Sequence, residues 1–402
     1  MAITLNNRPS VITPGFNQMM FKATSNQTAQ PNFRYYIQIN VAGNVLSPLV
    51  LPARPSGEVI FDLQPLLKDF IQSYFPFGVA GWTVATNQII TVTVNIGEKY
   101  GTTPTVYAGT TETYTPYYAS LTNKEMLNYT SINYSWPLPL SNYSSQIRIN
   151  DNDNLVFHWL QQIAGDIDGV RVRTYINGLI QSDSYIANGL TINNVPNKLV
   201  CINLGLTALS ALTAPQVTGD FPIITSGITG MIIDFYDAVT TIRYNVEVST
   251  CCGSGEEEET TLYYVNRKGA FEHVNFCTRV KKDLQAIQTT YRPIEQYFKT
   301  SYRNSGGSMI NISTPLDQSL KVIGNTYEVN NTYTSAPLTE SECTQLSECF
   351  NSPKLLLQTG THYEYISSKD TTFVFKKKVI EKVIQFVMNC KNNLIEKRQT
   401  NG

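Results

Sequence analysis

Charge is scarce in this chain of 402 residues, with 30 basic side chains against 31 acidic ones and only 15% of positions charged. Ordinary soluble domains carry about 25%. Histidine is scarcer still. His158, His273 and His362 leave almost no raw material for a histidine-based triad or a multi-histidine metal site. The seven cysteines are odd in number and contain no CxxC, so neither a zinc ribbon nor a thioredoxin-like redox site is indicated, and buried or incidental thiols account for them. No GxSxG elbow, GxxxxGK[ST] loop, post-strand GxGxxG or HExxH occurs. No apolar run reaches the roughly 18 residues a spanning helix needs. The opening MAITLNNRPSVITPG lacks a basic stretch followed by an apolar one. These absences predict a soluble chain made in a cytoplasm, with no catalytic site, no cofactor, no bound metal and no membrane contact.

Asn, Thr, Ser, Gln and 24 tyrosines stand where charge is missing. Tyrosine offers a large rigid contact area, and Asn and Thr offer hydrogen bonds, so such a surface suits extensive contact between proteins. A secreted β-protein would share this composition.

The length calls for two to four domains. Apolar and polar residues alternate in 35–41, 90–96, 170–176 and 242–248. Period-two alternation of β-branched and aromatic residues means half-buried antiparallel strands. The expected fold is mainly β: antiparallel, immunoglobulin-like β-sandwiches in several domains, a C-terminal α+β domain and a few lidding helices. Two helices are expected. One runs over 62–74, with Asp62 as N-cap, Pro65 in the first turn and an apolar stripe at 63, 66, 67, 70, 71 and 74. The other starts at Leu338–Glu342, where Thr339 and Glu342 form a capping box, presents Cys343, Leu346, Cys349 and Phe350, and stops at Pro353.

The clearest boundary is the Gly/Glu-rich stretch 253–261, and a softer one lies in the Tyr/Pro/Ser/Asn-rich, weakly periodic stretch 110–150. The expected domains are 1–120, a β-sandwich carrying helix 62–74; 121–252, a second sandwich; and 262–402. A hairpin is expected from 372–380 into 382–390, whose Lys376–Lys378 run is a guarded strand edge or a nucleic-acid contact. The string Asn150–Asn154 suggests calcium, but the sixth and twelfth positions from Asp151 are Val156 and Gln162 instead of Gly and Glu, so a solvated turn is expected. His158 lies in an apolar run and reads as structural.

Residues Tyr264–Glu272 read YVNRKGAFE. Gly269 supplies a positive φ for a tight turn, Arg267 offers fixed donors, and Tyr264 and Phe271 flank the turn as packing residues. This run resembles the Y-x-N-R-x-G-x-F-[DE] strand–turn–strand opening of structural proteins from phages infecting Bacteroidetes. Leu338–Glu342 running to Ser352–Leu357 is similar to their L-T-E-x-E…S-P-x-V-x-L segment, and Gly57–Leu67 to their G-x-x-x-F-D-[IL] step. The resemblance touches both ends of the chain and leaves its middle uncovered. It implies a neck or tail protein of a crAss-like phage, resident in the virion, whose subunits stack into rings around the DNA channel. The implied partners are further copies in a cyclic homo-oligomer, other neck or tail proteins and, non-specifically, genomic DNA. Tyr264, Asn266, Arg267, Gly269, Phe271 and Glu272 become the candidate motif and interface residues. The competing readings are a carbohydrate-binding or adhesin module using Tyr117, Tyr118 and Trp136, and a tail-associated glycan hydrolase.

Overall fold

The computed structural model describes residues 3–130, 139–161, 167–189, 198–237, 239–248, 260–291, 302–303, 309–310, 321–335, 338, 340–360, 362–368, 376–378, 383–385, 387–392 and 396–398. Strands take 52% of the chain and helices 8%, which makes the protein mainly β with several antiparallel sheets. Contacts gather the chain into two compact units. The first comprises 1–255, 261–275 and 339–353; the second comprises 256–260, 276–338 and 354–402. This division differs from the expected boundaries at 120 and 252. Of the expected linker 253–261, residues 253–259 lie outside the described residues, and Thr260 and Thr261 open a strand instead.

The first unit begins with β1 (Ile3–Asn7), β2 (Ile12–Pro14), β3 (Met20–Ser25), β4 (Arg34–Val41), β5 (Asn44–Val45), β6 (Leu49–Leu51) and β7 (Glu58–Asp62). After a helical turn, α1 (Gln64–Leu67), come β8 (Gly81–Val84), β9 (Val92–Tyr100) and β10 (Thr105–Tyr117). One sheet has the order β1-β3-β7 and the other β2-β10-β9-β4-β5, with β6 also on β4. The alternation read in 35–41 appears as Tyr35, Ile37, Ile39 and Val41, all fully buried, facing Val92, Val94 and Ile96 of β9. Phe21 stacks on Phe61 at 4.8 Å and meets Tyr114 of the opposite sheet edge-on at 5.2 Å, closing the core.

The expected helix over 62–74 is a single turn. Asp62 still accepts the Gln64 amide at 3.0 Å, and Leu63, Leu67 and Ile71 are buried as the stripe requires. At Gln72, however, the backbone N–H donates to Asn87 O at 2.9 Å, and this tertiary bond replaces the next helical one. The weakly periodic stretch 110–150 is also more regular than expected. Strand β10 runs to Tyr117, and α2 (Asn123–Leu127) follows a capping box in which Thr122 and Glu125 each satisfy the other's backbone amide.

The first unit continues with β11 (Gln146–Ile149), β12 (Val156–Gln161), β13 (Gly169–Ile176), β14 (Leu179–Ala187), β15 (Lys198–Asn203), α3 (Leu206–Ser210), β16 (Val217–Gly219), β17 (Gly230–Tyr236) and β18 (Thr241–Val248). One sheet is β11-β18-β17-β13-β14-β16, the other β12-β15-β8. Strand β8 therefore leaves the first sandwich and completes a sheet of the second, with Trp82 opposite Ile202. Trp82 meets Trp159 at 5.9 Å, and Trp159 meets Phe235 at 4.5 Å. In both sandwiches an early strand lies parallel to the last one, β2 beside β10 and β11 beside β18.

The remaining strands are β19 (Thr260–Val265), β20 (Phe271–Tyr291), β21 (Tyr302–Arg303), β22 (Met309–Ile310) and β23 (Lys321–Ser335). Helix α4 (Glu340–Leu346) precedes β24 (Leu355–Thr359), β25 (His362–Ser368), β26 (Lys376–Lys378), β27 (Val383–Gln385), β28 (Val387–Asn392) and β29 (Glu396–Arg398). In the second unit β24, β25, β28 and β23 pair in that order, all antiparallel, and β20 and β29 also pair with β23. The lysine run is β26 and pairs with β27; residues 372–375, 379–382 and 386 of the expected hairpin lie outside the described residues, and 387–390 belong instead to β28, which pairs with β23 and β25. Helix α4 belongs to the first unit and ends at Leu346, short of Pro353. Cys343 and Leu346 are buried, as is Cys349 in the 3-10 turn that follows, whereas Phe350 of the expected face is only half-buried. The N-cap candidate Thr339 lies outside the described residues. No described helix is long and apolar enough to cross a membrane.

Candidate functional site

The turn between β19 and β20 is built by Asn266. Its Oδ1 accepts the amides of Lys268 and Ala270, both at 3.0 Å, while its own backbone N–H donates to Ala270 O at 2.9 Å. A short amide side chain folding onto its own backbone in this way sets a turn locally. Gly269 closes it at φ +92°, and a Cβ there would lie 1.7 Å from Tyr118 O. Glycine is thus required twice, for its left-handed backbone and for the close approach. The turn is seated on the first sandwich: Gln88 Nε2 donates to Gly269 O at 2.5 Å and Ser120 N to Arg267 O at 2.7 Å.

Glu272 is the centre of the site. Its side chain is fully buried and its two oxygens take four donors. Oε1 accepts the Asn142 backbone amide and Asn266 Nδ2, each at 2.5 Å; Oε2 accepts the Tyr264 hydroxyl at 2.8 Å and Gln345 Nε2 at 3.2 Å. Asn266 Nδ2 also reaches Leu140 O at 2.8 Å. Three distant stretches, 140–142, 264–272 and α4, therefore meet on one carboxyl. Burial pushes that carboxyl up to about 7, against the opposing pull of the Asn142, Asn266 and Tyr264 donors.

Arg267 lies at the rim. Its Nε contacts Glu125 Oε1 at 3.0 Å and its Nη1 contacts Glu348 Oε1 at 3.1 Å, and its backbone amide donates to Glu348 Oε2 at 2.9 Å. Burial raises the Glu125 carboxyl, but the Thr122 amide and hydroxyl and Arg267 outweigh it and hold the group below its usual range. Burial lowers the Lys268 ammonium. Phe271 packs edge-on against Phe75 at 4.8 Å. A cavity of about 520 Å³ opens beside the turn, walled by Phe16, Tyr118, Val265, Arg267, Glu348 and Pro353.

The structure thus brings the six motif residues into one place. Tyr264, Asn266, Gly269, Phe271 and Glu272 are buried within the first unit, and Arg267 alone presents a substantial exposed side chain. Their partners Asn142, Glu125, Gln345 and Glu348 were not picked out from the sequence. The Thr122–Glu125 capping box was the one local signal available; the others are joined only by tertiary contacts.

Neighbouring polar groups are likewise structural. His273 donates from Nε2 to Arg148 O at 3.0 Å, which leaves Nδ1 to accept the Tyr143 hydroxyl at 2.9 Å. His158, at the centre of β12, is fully buried, and that burial lowers its imidazole to about 4. The expected solvated turn at 150–154 is only half solvated. Asp151 and Asn152 are exposed, whereas Asn150 and Asp153 are buried, with the Asn150 amide on Asp153 Oδ2 at 2.6 Å and the Thr261 hydroxyl on Oδ1. Among the described residues no group of His, Cys, Asp and Glu is placed to hold a metal. Two of the aromatics assigned to sugar stacking point inward: Tyr117 is 0% and Tyr118 8% exposed, because β10 ends in the core between the sheets. Trp136 lies outside the described residues.

No protein-family model matches the chain, and no curated protein matches it. Among solved structures it is similar to the crystal structure of the S-layer protein rSbsC(31-844), at 11% identity and a TM-score of 0.18. That match covers 94% of this chain and 40% of the other. A likeness this weak carries no argument about fold or function.

Proposed function

We propose that this chain is a non-enzymatic structural subunit of a virion, assembled into a ring in the neck or tail of a tailed phage and contributing to the DNA-delivery channel. The observation that carries the reading is the ribbon of the second unit. From Phe276 to Tyr291, β20 pairs with β23 from Ser335 back to Lys321, bending at three bulges. Strands of this length reach roughly 50 Å at about 3.3 Å per residue. A two-stranded ribbon is marginal by itself in water and gains stability when a third strand or another surface covers a face. Among the described residues, β28 and β29 flank β23 at Asn330–Thr334 and Asn325–Tyr327. A neighbouring copy is the natural cover for the remainder, and the charge-poor, tyrosine-rich composition suits such contact. The phage context rests on the motif resemblance.

The test is stoichiometry. Purified particles should contain the chain in a fixed symmetric multiple, and light scattering of the isolated chain should give the same multiple or a concentration-dependent approach to it. Absence from particles, together with a monomer at every concentration, would overturn the reading. The carbohydrate-binding alternative loses ground because Tyr117 and Tyr118 are buried.

A further inference from the structure

The sequence holds three Asn–Gly steps, at Asn177–Gly178, Asn188–Gly189 and Asn401–Gly402, the last of which lies outside the described residues. An asparagine followed by glycine can react with its own chain, because glycine has no Cβ to shield its nitrogen from the side-chain carbonyl carbon. The first two steps have nearly the same neighbours, Ile-Asn-Gly-Leu and Ala-Asn-Gly-Leu. Local sequence therefore treats them alike, and the fold separates them.

Asn177 and Gly178 form the two-residue turn between β13 and β14, both exposed and both at positive φ, +48° and +82°. The Asn177 carboxamide and the Gly178 N–H make no hydrogen bond to a described residue. The backbone N–H of Asn177 donates to Thr229 Oγ1 at 3.0 Å, a group that takes no part in the reaction. Behind the turn only Ile176–Leu179 and Tyr175–Ile180 pair before a bulge interrupts the β13–β14 ladder. Leu179 is 71% and Ile180 57% exposed, so little packing holds this tip against opening. Asn188–Gly189, just past the other end of β14, is the opposite case. Asn188 is 4% exposed, its Nδ2 donates to Ile167 O at 3.0 Å and its backbone N–H to Asp168 O at 2.9 Å. The Gly189 N–H donates to Ala187 O at 2.9 Å, so the attacking nitrogen and the departing one are both engaged.

We propose that Asn177 is a site of spontaneous covalent modification, converting to aspartate and isoaspartate through the Gly178 nitrogen, and that the fold protects Asn188 from the same reaction. The Gly178 nitrogen gives its proton to hydroxide and bonds to Asn177 Cγ. The Cγ–Nδ2 bond breaks, and the departing nitrogen takes a proton from water and leaves as ammonia. The product is a succinimide ring. Water attacking Cγ opens the ring to aspartate; water attacking the backbone carbonyl opens it to isoaspartate, in which the chain runs through Cγ. Ring closure requires Asn177 to leave its turn conformation, which is why the weak hold on the tip matters. Either product sets a negative charge beside Leu179 and Ile180, and isoaspartate also lengthens the backbone of a turn built for two residues.

Peptide mapping of the isolated full chain tests this, whether or not the chain forms rings. Folded protein at mildly alkaline pH is sampled over days, digested and analysed by mass spectrometry, with isoaspartate detected by enzymatic methylation. A sample unfolded in urea is the reference, in which both steps should convert at similar rates. In the folded chain Asn177 should convert at least about tenfold faster than Asn188, with isoaspartate among its products and a rate that rises with pH. Equal rates at the two sites in the folded chain would overturn the assignment. So would an Asn177 slowed by folding as strongly as Asn188, or a product at Asn177 that is wholly aspartate, since opening of the ring yields both.

Discussion

Asn266 Nδ2 lies 2.5 Å from Glu272 Oε1, and through this bond the residue that shapes the turn also holds the residue that gathers the site. The same amide group reaches Leu140 O, and its oxygen takes two amides of the turn. Turn and node therefore stand or fall together. Asn266→Ala should cost about 3 kcal/mol, because it strands several buried partners at once. Asn266→Asp should cost more, since it sets a second carboxylate against the first. Urea denaturation read by intrinsic fluorescence checks both.

Gly269→Ala should be still less tolerated. The added Cβ meets Tyr118 O, a backbone atom that cannot swing away, and φ is +92°. A loss of about 3 kcal/mol or more follows from strain and displacement together. A thermal melt unchanged from wild type would contradict the close approach of Gly269 to Tyr118 O.

Glu272 and His158 oppose each other in their pH dependence. The folded Glu272 carboxyl is raised from 4.5 to about 7, so its contribution to stability is full below pH 4.5 and is lost as pH rises toward 7. His158 is lowered from 6.5 to about 4, so its contribution is full above pH 6.5 and is lost as pH falls toward 4. Each window spans about 2.5 pH units, or about 3.4 kcal/mol at the usual 1.36 per unit. The two terms nearly cancel between pH 4.5 and 6.5. Glu272→Gln should therefore tilt the stability profile of the first unit upward with pH relative to wild type, and parallel denaturation curves at pH 5 and 7 measure the tilt.

Arg267 should matter less than its position in the motif suggests. Its side chain is 42% exposed, and solvent screens its pairs with Glu125 and Glu348. Arg267→Met should cost about 1 kcal/mol, and the difference should shrink in 1 M salt. A much larger, salt-independent loss would point to a buried role.

Tyr117→Ala distinguishes core from sugar platform. A fully buried ring between two sheets should cost about 3–5 kcal/mol on removal. A stacking residue for glycans would leave stability unchanged and abolish binding on a glycan array.

The sequence by itself determined the strands of the two sandwiches. In β4, β9, β13 and β18 the side chains alternate between core and surface with the pleat, so a period of two in the residues is a period of two in burial. The second helix and its buried Cys343 and Leu346 were legible for the same reason at helical spacing, and the Thr122–Glu125 box was there to be read. Tertiary structure decided the rest. The stripe from Leu63 to Ile71 is a good helix pattern, yet the chain leaves the helix where Gln72 finds Asn87. Strand β8 pairs with β15, more than a hundred residues away, because an open sheet edge can take any strand that covers the core. Glu272 meets Asn142 and Gln345 for a similar reason: hydrogen-bond partners of a buried carboxyl are chosen by proximity in space, and local spacing carries no record of that.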